Sequence, residues 1–143
     1  MVWEKRTEAT HLDFPGDESG LKFGAAYFWN VEGEDLINSF RSLNQKFTVL
    51  PERKIDEIKM EKETLLGLFA EEPSSSSLHS LLGASYAAAG LLEDAIREFE
   101  LVRDANPEAT LPHEILGRLY SDVGKKDLAI EELQKALLIE KRN

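Results

Sequence analysis

Three kinds of residue in this 143-residue chain could in principle do chemistry: two histidines, several paired acids and a serine run. His79 and His113 stand 34 residues apart. Neither lies in a recognised metal-ligand spacing, and the chain has no cysteine to complete a zinc site. Each histidine therefore reads as the occupant of a large packing position. His11 lies in a segment without a clear pattern. Glu71-Glu72, Glu93-Asp94 and Glu131-Glu132 have the residue types for acid–base work. They fall at expected helix ends, first turns and solvated faces, where a carboxylate is comfortable without any catalytic role. The serines at 74–77 lack a nucleophile elbow and a histidine at a useful spacing. "FPGDESGLKFG" matches neither the phosphate loop nor the dinucleotide fingerprint. The expectation is a protein without catalytic residues, metal or cofactor.

Bulk properties narrow the partners. The formal charge of −10 disfavours binding to phosphate backbones and anionic lipid, which need clustered lysine and arginine. No run approaches the roughly 20 apolar residues of a membrane span. The first twenty residues lack the apolar core of a signal peptide, so a chain starting naturally at Met1 is expected in the cytoplasm. The expected partner is another protein or peptide, neither nucleic acid nor membrane.

The elements that position these residues are repeated. "HSLLGASYAAAGLLEDAIREFE" from His79 and "HEILGRLYSDVGKKDLAIEELQ" from His113 align at an offset of 34 residues. Leu82, Gly83, Tyr86, Gly90, Ala95 and Ile96 meet Leu116, Gly117, Tyr120, Gly124, Ala129 and Ile130. A fixed period of this length marks a stacked repeat array. Within a unit, Leu78, Leu81, Leu82, Tyr86 and Ala89 give a first helix an apolar stripe, and Gly90 offers a positive φ at its end. Ala95, Ile96, Phe99 and Val102 give the second helix its apolar face, and Pro107 closes the unit. Gly83 and Ala95 leave room for two antiparallel helices to approach closely.

This set of residues resembles the tetratricopeptide repeat family over residues 76–143. The Leu-Gly pairs, Tyr86 and Tyr120, the turn glycines, Ala95 and Ala129, Phe99 and Leu133, Val102 and Ala136, and Pro107 all match. His79 and His113 depart from the tryptophan often found there, and Lys141 departs from a closing proline. The resemblance implies an all-α, antiparallel helix-hairpin array of the α-solenoid type. It also implies a concave groove lined by first helices, with Ser77, Ser80, Leu81, Ala84, Ala87 and Ala88 from one repeat. The second repeat would contribute Glu114, Ile115, Arg118, Ser121 and Asp122. Small residues there would let a partner peptide or helix lie close, or the chain's own N-terminal part could fill the space. Relatives that clamp acidic chaperone tails use lysine, arginine and asparagine at positions that here hold Ser80, Ala84, Leu111, Glu114, Ile115 and Arg118. That role is not expected.

The expected organisation is an aromatic-rich extension over 1–50 and a helical domain over 51–143. The latter divides into a degenerate second helix (51–73), a first repeat (76–109) and a second repeat (110–143). Ile55, Ile58, Leu65, Leu66 and Phe69 would form the apolar face of the degenerate helix, stacking on the first repeat. In the extension, "LDFPGDESG" is turn chemistry. "LKFGAAYFWNV" fits a strand or a helix, and Leu36, Phe40, Leu43 and Phe47 suggest an amphipathic helix near 34–48. The aromatics would either pack on the array or dock on a partner or second copy. The expected function is a protein-interaction module, adaptor or assembly factor. The alternatives are self-association, through these aromatics or through Leu133, Leu137 and Leu138 on the last helix, or a recruiting domain of a larger protein.

Overall fold

The computed structural model describes residues 4–8, 20–34 and 37–142. "LDFPGDESG" and His11 lie outside the described residues, apart from Gly20. The chain divides into two compact units, 1–56 and 57–143.

In the first unit, Leu36 of the segment expected as a helix near 34–48 lies outside the described residues, and the described remainder carries β-strands. Strand β1 (Ala26–Trp29) pairs antiparallel with β4 (Gln45–Thr48), and β2 (Glu32–Glu34) with β3 (Ser39–Arg41). The two pairs follow one another along a single ribbon. Between them, two residues on one arm (Asn30, Val31) oppose three on the other (Ser42, Leu43, Asn44), which makes a bulge. The Ser42 hydroxyl accepts from the Val31 amide at 2.9 Å, and the Ser42 amide donates to the Val31 carbonyl at 2.8 Å. Asn30 and Asn44 join their side chains at 3.1 Å. The helical spacing of Phe40 and Phe47 was misleading because both are spent on cross-strand pairs. Phe47 stacks on Tyr27 with ring centroids 5.6 Å apart, and the Phe40 ring lies over Gly33, where a Cβ would collide with it. Aromatic cross-strand pairs of this kind are the stabilising unit of a ribbon. Phe40 and Leu43 also remain exposed, so the apolar stripe of a packed helix does not exist here.

The remaining described elements are helices, and the division between the two units falls within the first of them. Helix α1 (Glu52–Leu68) starts one residue after Pro51, whose fixed φ suits a helix entry. Its Ile58 is buried, Ile55, Leu65 and Phe69 are half-buried, and Leu66 is exposed. Helix α2 (Ser76–Ala88) is capped by Ser75, whose side chain accepts from the Ser77 amide. Gly90 (φ 78°) carries the chain into α3 (Leu92–Ala105). Helices α4 (Thr110–Asp122) and α5 (Lys126–Arg142), joined through Gly124 (φ 80°), repeat that hairpin. α2 packs on α3, α3 on α4, and α4 on α5. The core of the array is Leu78, Leu82 and Tyr86 with Ala95, Ile96, Phe99 and Val102, then Leu116, Leu119 and Tyr120 with Ala129, Ala136 and Ile139. α1 reaches α2 through a side chain, Ser85 Oγ donating to Glu61 Oε2 at 2.6 Å, without close backbone packing.

Among the described residues, no helix is long and apolar enough to cross a membrane.

Candidate functional site

Each first helix of a hairpin has two opposed sides. On α2, Leu78, Leu82, Gly83 and Tyr86 are buried. Phe99 lies so close over Gly83 that a Cβ there would stand 2.8 Å from its ring. On the opposite side, Ser77, Leu81, Ala84 and Ala88 recur at spacings of four, three and four residues, and all are exposed, Leu81 at 47%. The same spacing on α4 holds Leu111, Ile115, Arg118 and Asp122, with Arg118 and Asp122 exposed and Ile115 half-buried. Ser80 and Ala87 flank the α2 stripe and are half-buried; the Ser80 hydroxyl donates to the Ser76 carbonyl at 2.7 Å. Glu114, half-buried, and Ser121, exposed, flank the α4 stripe in the same way. One stripe is small and apolar, while the other carries both signs of charge.

Polar links tie the two hairpins together and so fix one stripe relative to the other. The Tyr120 hydroxyl on α4 donates to Glu100 Oε1 on α3 at 2.5 Å. Burial pushes that phenol up to about 12, and the Glu100 bond adds to the effect. Arg103 on α3 donates to Glu132 on α5 at 3.0 Å. Burial alone would lower the Arg103 guanidinium, but Asp104 and Glu132 outweigh it and its pKa is raised. Lys125 meets Glu93 at 3.0 Å.

The histidines are more than packing residues. His113, 3% exposed, places Nδ1 2.5 Å from Glu132 Oε2 and Nε2 3.0 Å from the Pro107 carbonyl oxygen. His79 makes the equivalent contact one repeat earlier, with Nδ1 2.7 Å from Glu98 Oε2. Glu132 is 4% exposed, which corrects the expectation that the Glu131-Glu132 pair lies wholly on a solvated face. Its two oxygens are taken by His113 and Arg103, the pairing that a buried carboxylate requires. A signal for this was present in the sequence. Glu98 and Glu132 are themselves 34 residues apart, 19 beyond each histidine. Among the described residues, no three His, Asp or Glu side chains gather as a metal site would need.

No protein-family model matches the chain, and no curated protein does. Among solved structures the chain is similar to a MamA crystal structure, with 25% identity and a TM-score of 0.55 over 62% of this chain and 52% of that one. A double mutant of MamA from RS-1 gives 26% identity and a TM-score of 0.55, over 63% of this chain and 51% of that one. MamA 41-end from Desulfovibrio magneticus RS-1 gives 25% identity and a TM-score of 0.55, over 64% and 51%. The chain thus spans about half the length of the structures it matches. Its helical hairpins share the fold of MamA, a tetratricopeptide repeat protein.

Proposed function

We propose that the helical unit is a non-catalytic protein-interaction scaffold that holds a peptide or helix of another protein against α2 and α4. The observation that carries this reading is the repeated stripe. Four positions on α2 and the same four on α4 lie opposite the hairpin core, and all but the half-buried Ile115 are exposed. Leu81 and Leu111 provide apolar contact, Ala84 and Ala88 permit close approach, and Arg118 and Asp122 provide polar register. Likeness in fold to MamA supports a scaffold role.

The test is a peptide library displayed on phage and selected against the purified protein. Selected peptides should lose at least about tenfold in affinity for Ala84→Arg and for Arg118→Glu, each of which alters an exposed stripe residue. Peptides that bind both variants as well as the parent would refute the α2/α4 reading.

A further inference from the structure

Glu132 on α5 is the hub of a buried polar cluster that joins three helices and a turn. One of its oxygens takes an N–H of Arg103 on α3 at 3.0 Å, and the other lies 2.5 Å from Nδ1 of His113 on α4. The second ring nitrogen, Nε2, lies 3.0 Å from the Pro107 carbonyl oxygen in the α3–α4 turn. His113 therefore meets an acceptor on each side. A carbonyl oxygen can only accept a hydrogen bond, and so can an ionised carboxylate. A neutral imidazole has one N–H and one lone pair, so either tautomer would press a lone pair against an oxygen. These distances leave no room for a water between the atoms, and the His113 and Glu132 side chains are only 4% and 5% exposed. An unmade hydrogen bond is expensive in such a place. One further proton gives the ring an N–H on both sides and satisfies every contact.

We propose that this cluster is a proton-dependent lock between the two hairpins: His113 is held with a proton on each ring nitrogen, and the junction of α3, α4 and α5 loosens when the second proton leaves as pH rises. Two cations face Glu132 Oε1, Arg103 at 3.0 Å and Lys135 at 3.6 Å, and they favour the shared proton on the ring rather than on the carboxylate. Neither stands against the imidazolium as a bare charge. Arg103 also holds Asp104 at 2.8 Å, and Lys135 holds Glu131 at 2.9 Å. Nearby, Tyr120 donates to Glu100, and Glu108, next to Pro107, pairs with Arg142 at 3.0 Å. The preceding repeat supplies the comparison. His79 places Nδ1 2.7 Å from Glu98, its one partner among the described residues, and its Nε2 is not buried. A neutral ring satisfies that site, with Nδ1–H on Glu98 and Nε2 in reach of water. The lock lies apart from the α2/α4 stripe, so neither reading depends on the other.

Side-chain nitrogen NMR of the full chain with labelled histidine counts the protons at about pH 7.5. His113, assigned through His11→Gln and His79→Gln, should show an N–H at each ring nitrogen, both protected from exchange. Urea unfolding between about pH 6.5 and 9 then reads the lock. The unfolded chain releases the second proton above the ordinary histidine value of about 6.5 while the folded chain keeps it. The folded state then binds more protons, so stability is complete below that value and is lost as pH rises. The parent's folding equilibrium constant should fall more steeply than that of His113→Gln, by up to about tenfold per pH unit. A single N–H on His113 at about pH 7.5 overturns the proposal, and that measurement needs no variant at 113. A parent whose urea midpoint is flat from pH 6.5 to 9 overturns the lock, as do parent and His113→Gln curves that run parallel.

Discussion

Replacing Glu132 by alanine and making the same change at Glu98 separates burial from chemistry, because the two residues hold equivalent places one repeat apart. Glu132 and His113 have side chains only 5% and 4% exposed, and the carboxylate also takes an Arg103 N–H. Glu98 and His79 are each 19% exposed at a similar separation. Truncating one member of a buried charged pair leaves its partners desolvated and costs about 3–5 kcal/mol. A pair that water can still reach is worth about 1 kcal/mol or less. A helical unit of this size has about 4–13 kcal/mol in total, so Glu132→Ala should remove a large part of it. Urea unfolding followed by helical circular dichroism measures the difference, read as midpoint shifts at unchanged slope. The melting temperature should fall by roughly 12–40 °C for Glu132→Ala, against several degrees for Glu98→Ala. The double variant with His113→Ala should show a coupling of about 2 kcal/mol. Equal midpoint shifts at Glu98 and Glu132 would refute the view that burial sets the worth of the pair.

Further outcomes follow from local geometry. Gly83→Ala sets a methyl 2.8 Å from the buried Phe99 ring and should cost about 1–3 kcal/mol; Gly117→Ala meets Leu133, which is partly exposed and can swing away, so its cost in urea should be smaller. Gly90→Ala finds open space but must adopt φ 78°, and should cost about 1 kcal/mol in the same assay. Tyr120 should appear in a phenolate absorbance titration as a late transition near pH 12 that Tyr120→Phe removes. The sign is fixed by the raised pKa: the protonated phenol is favoured in the folded state. Its contribution to stability is complete below the ordinary tyrosine value of about 10 and is lost as pH rises through about 12. In the β-ribbon, Gly33→Val would collide with the Phe40 ring and should weaken the ribbon's amide protection in hydrogen exchange, with the helical unit unaffected.

The repeat was legible because its physics is local and periodic. A glycine at the hairpin turn, an alanine under a helix crossing and an apolar residue every third or fourth position each have few substitutes, so they survive at a fixed offset. The ribbon was not legible for the opposite reason. Phe40 and Phe47 satisfy a helical spacing, and only their partners, Gly33 and Tyr27, seven and twenty residues away, show that they belong to strands. Strand pairing is a non-local choice, and the cross-strand partner decides it. His113 and Glu132 fall between these cases. The period placed both, yet their types are ordinary on a helix surface, and only the packing of α4 against α5 shows that they meet.

Where the two repeats differ, the difference bears on the proposed function. Ser77, Leu81, Ala84 and Ala88 against Leu111, Ile115, Arg118 and Asp122 make two neighbouring stripes of unlike chemistry on the same helical positions. A core requirement would have kept them alike, as it kept Gly83 with Gly117 and Tyr86 with Tyr120. Arg103 against Leu137 is the second such contrast: the arginine reaches across to Glu132 of the second hairpin, whereas Leu137 stands 55% exposed on α5. Leu137→Arg should therefore leave helix content and urea midpoint nearly unchanged, and a loss of folding instead would mean that Leu137 serves the hairpin itself.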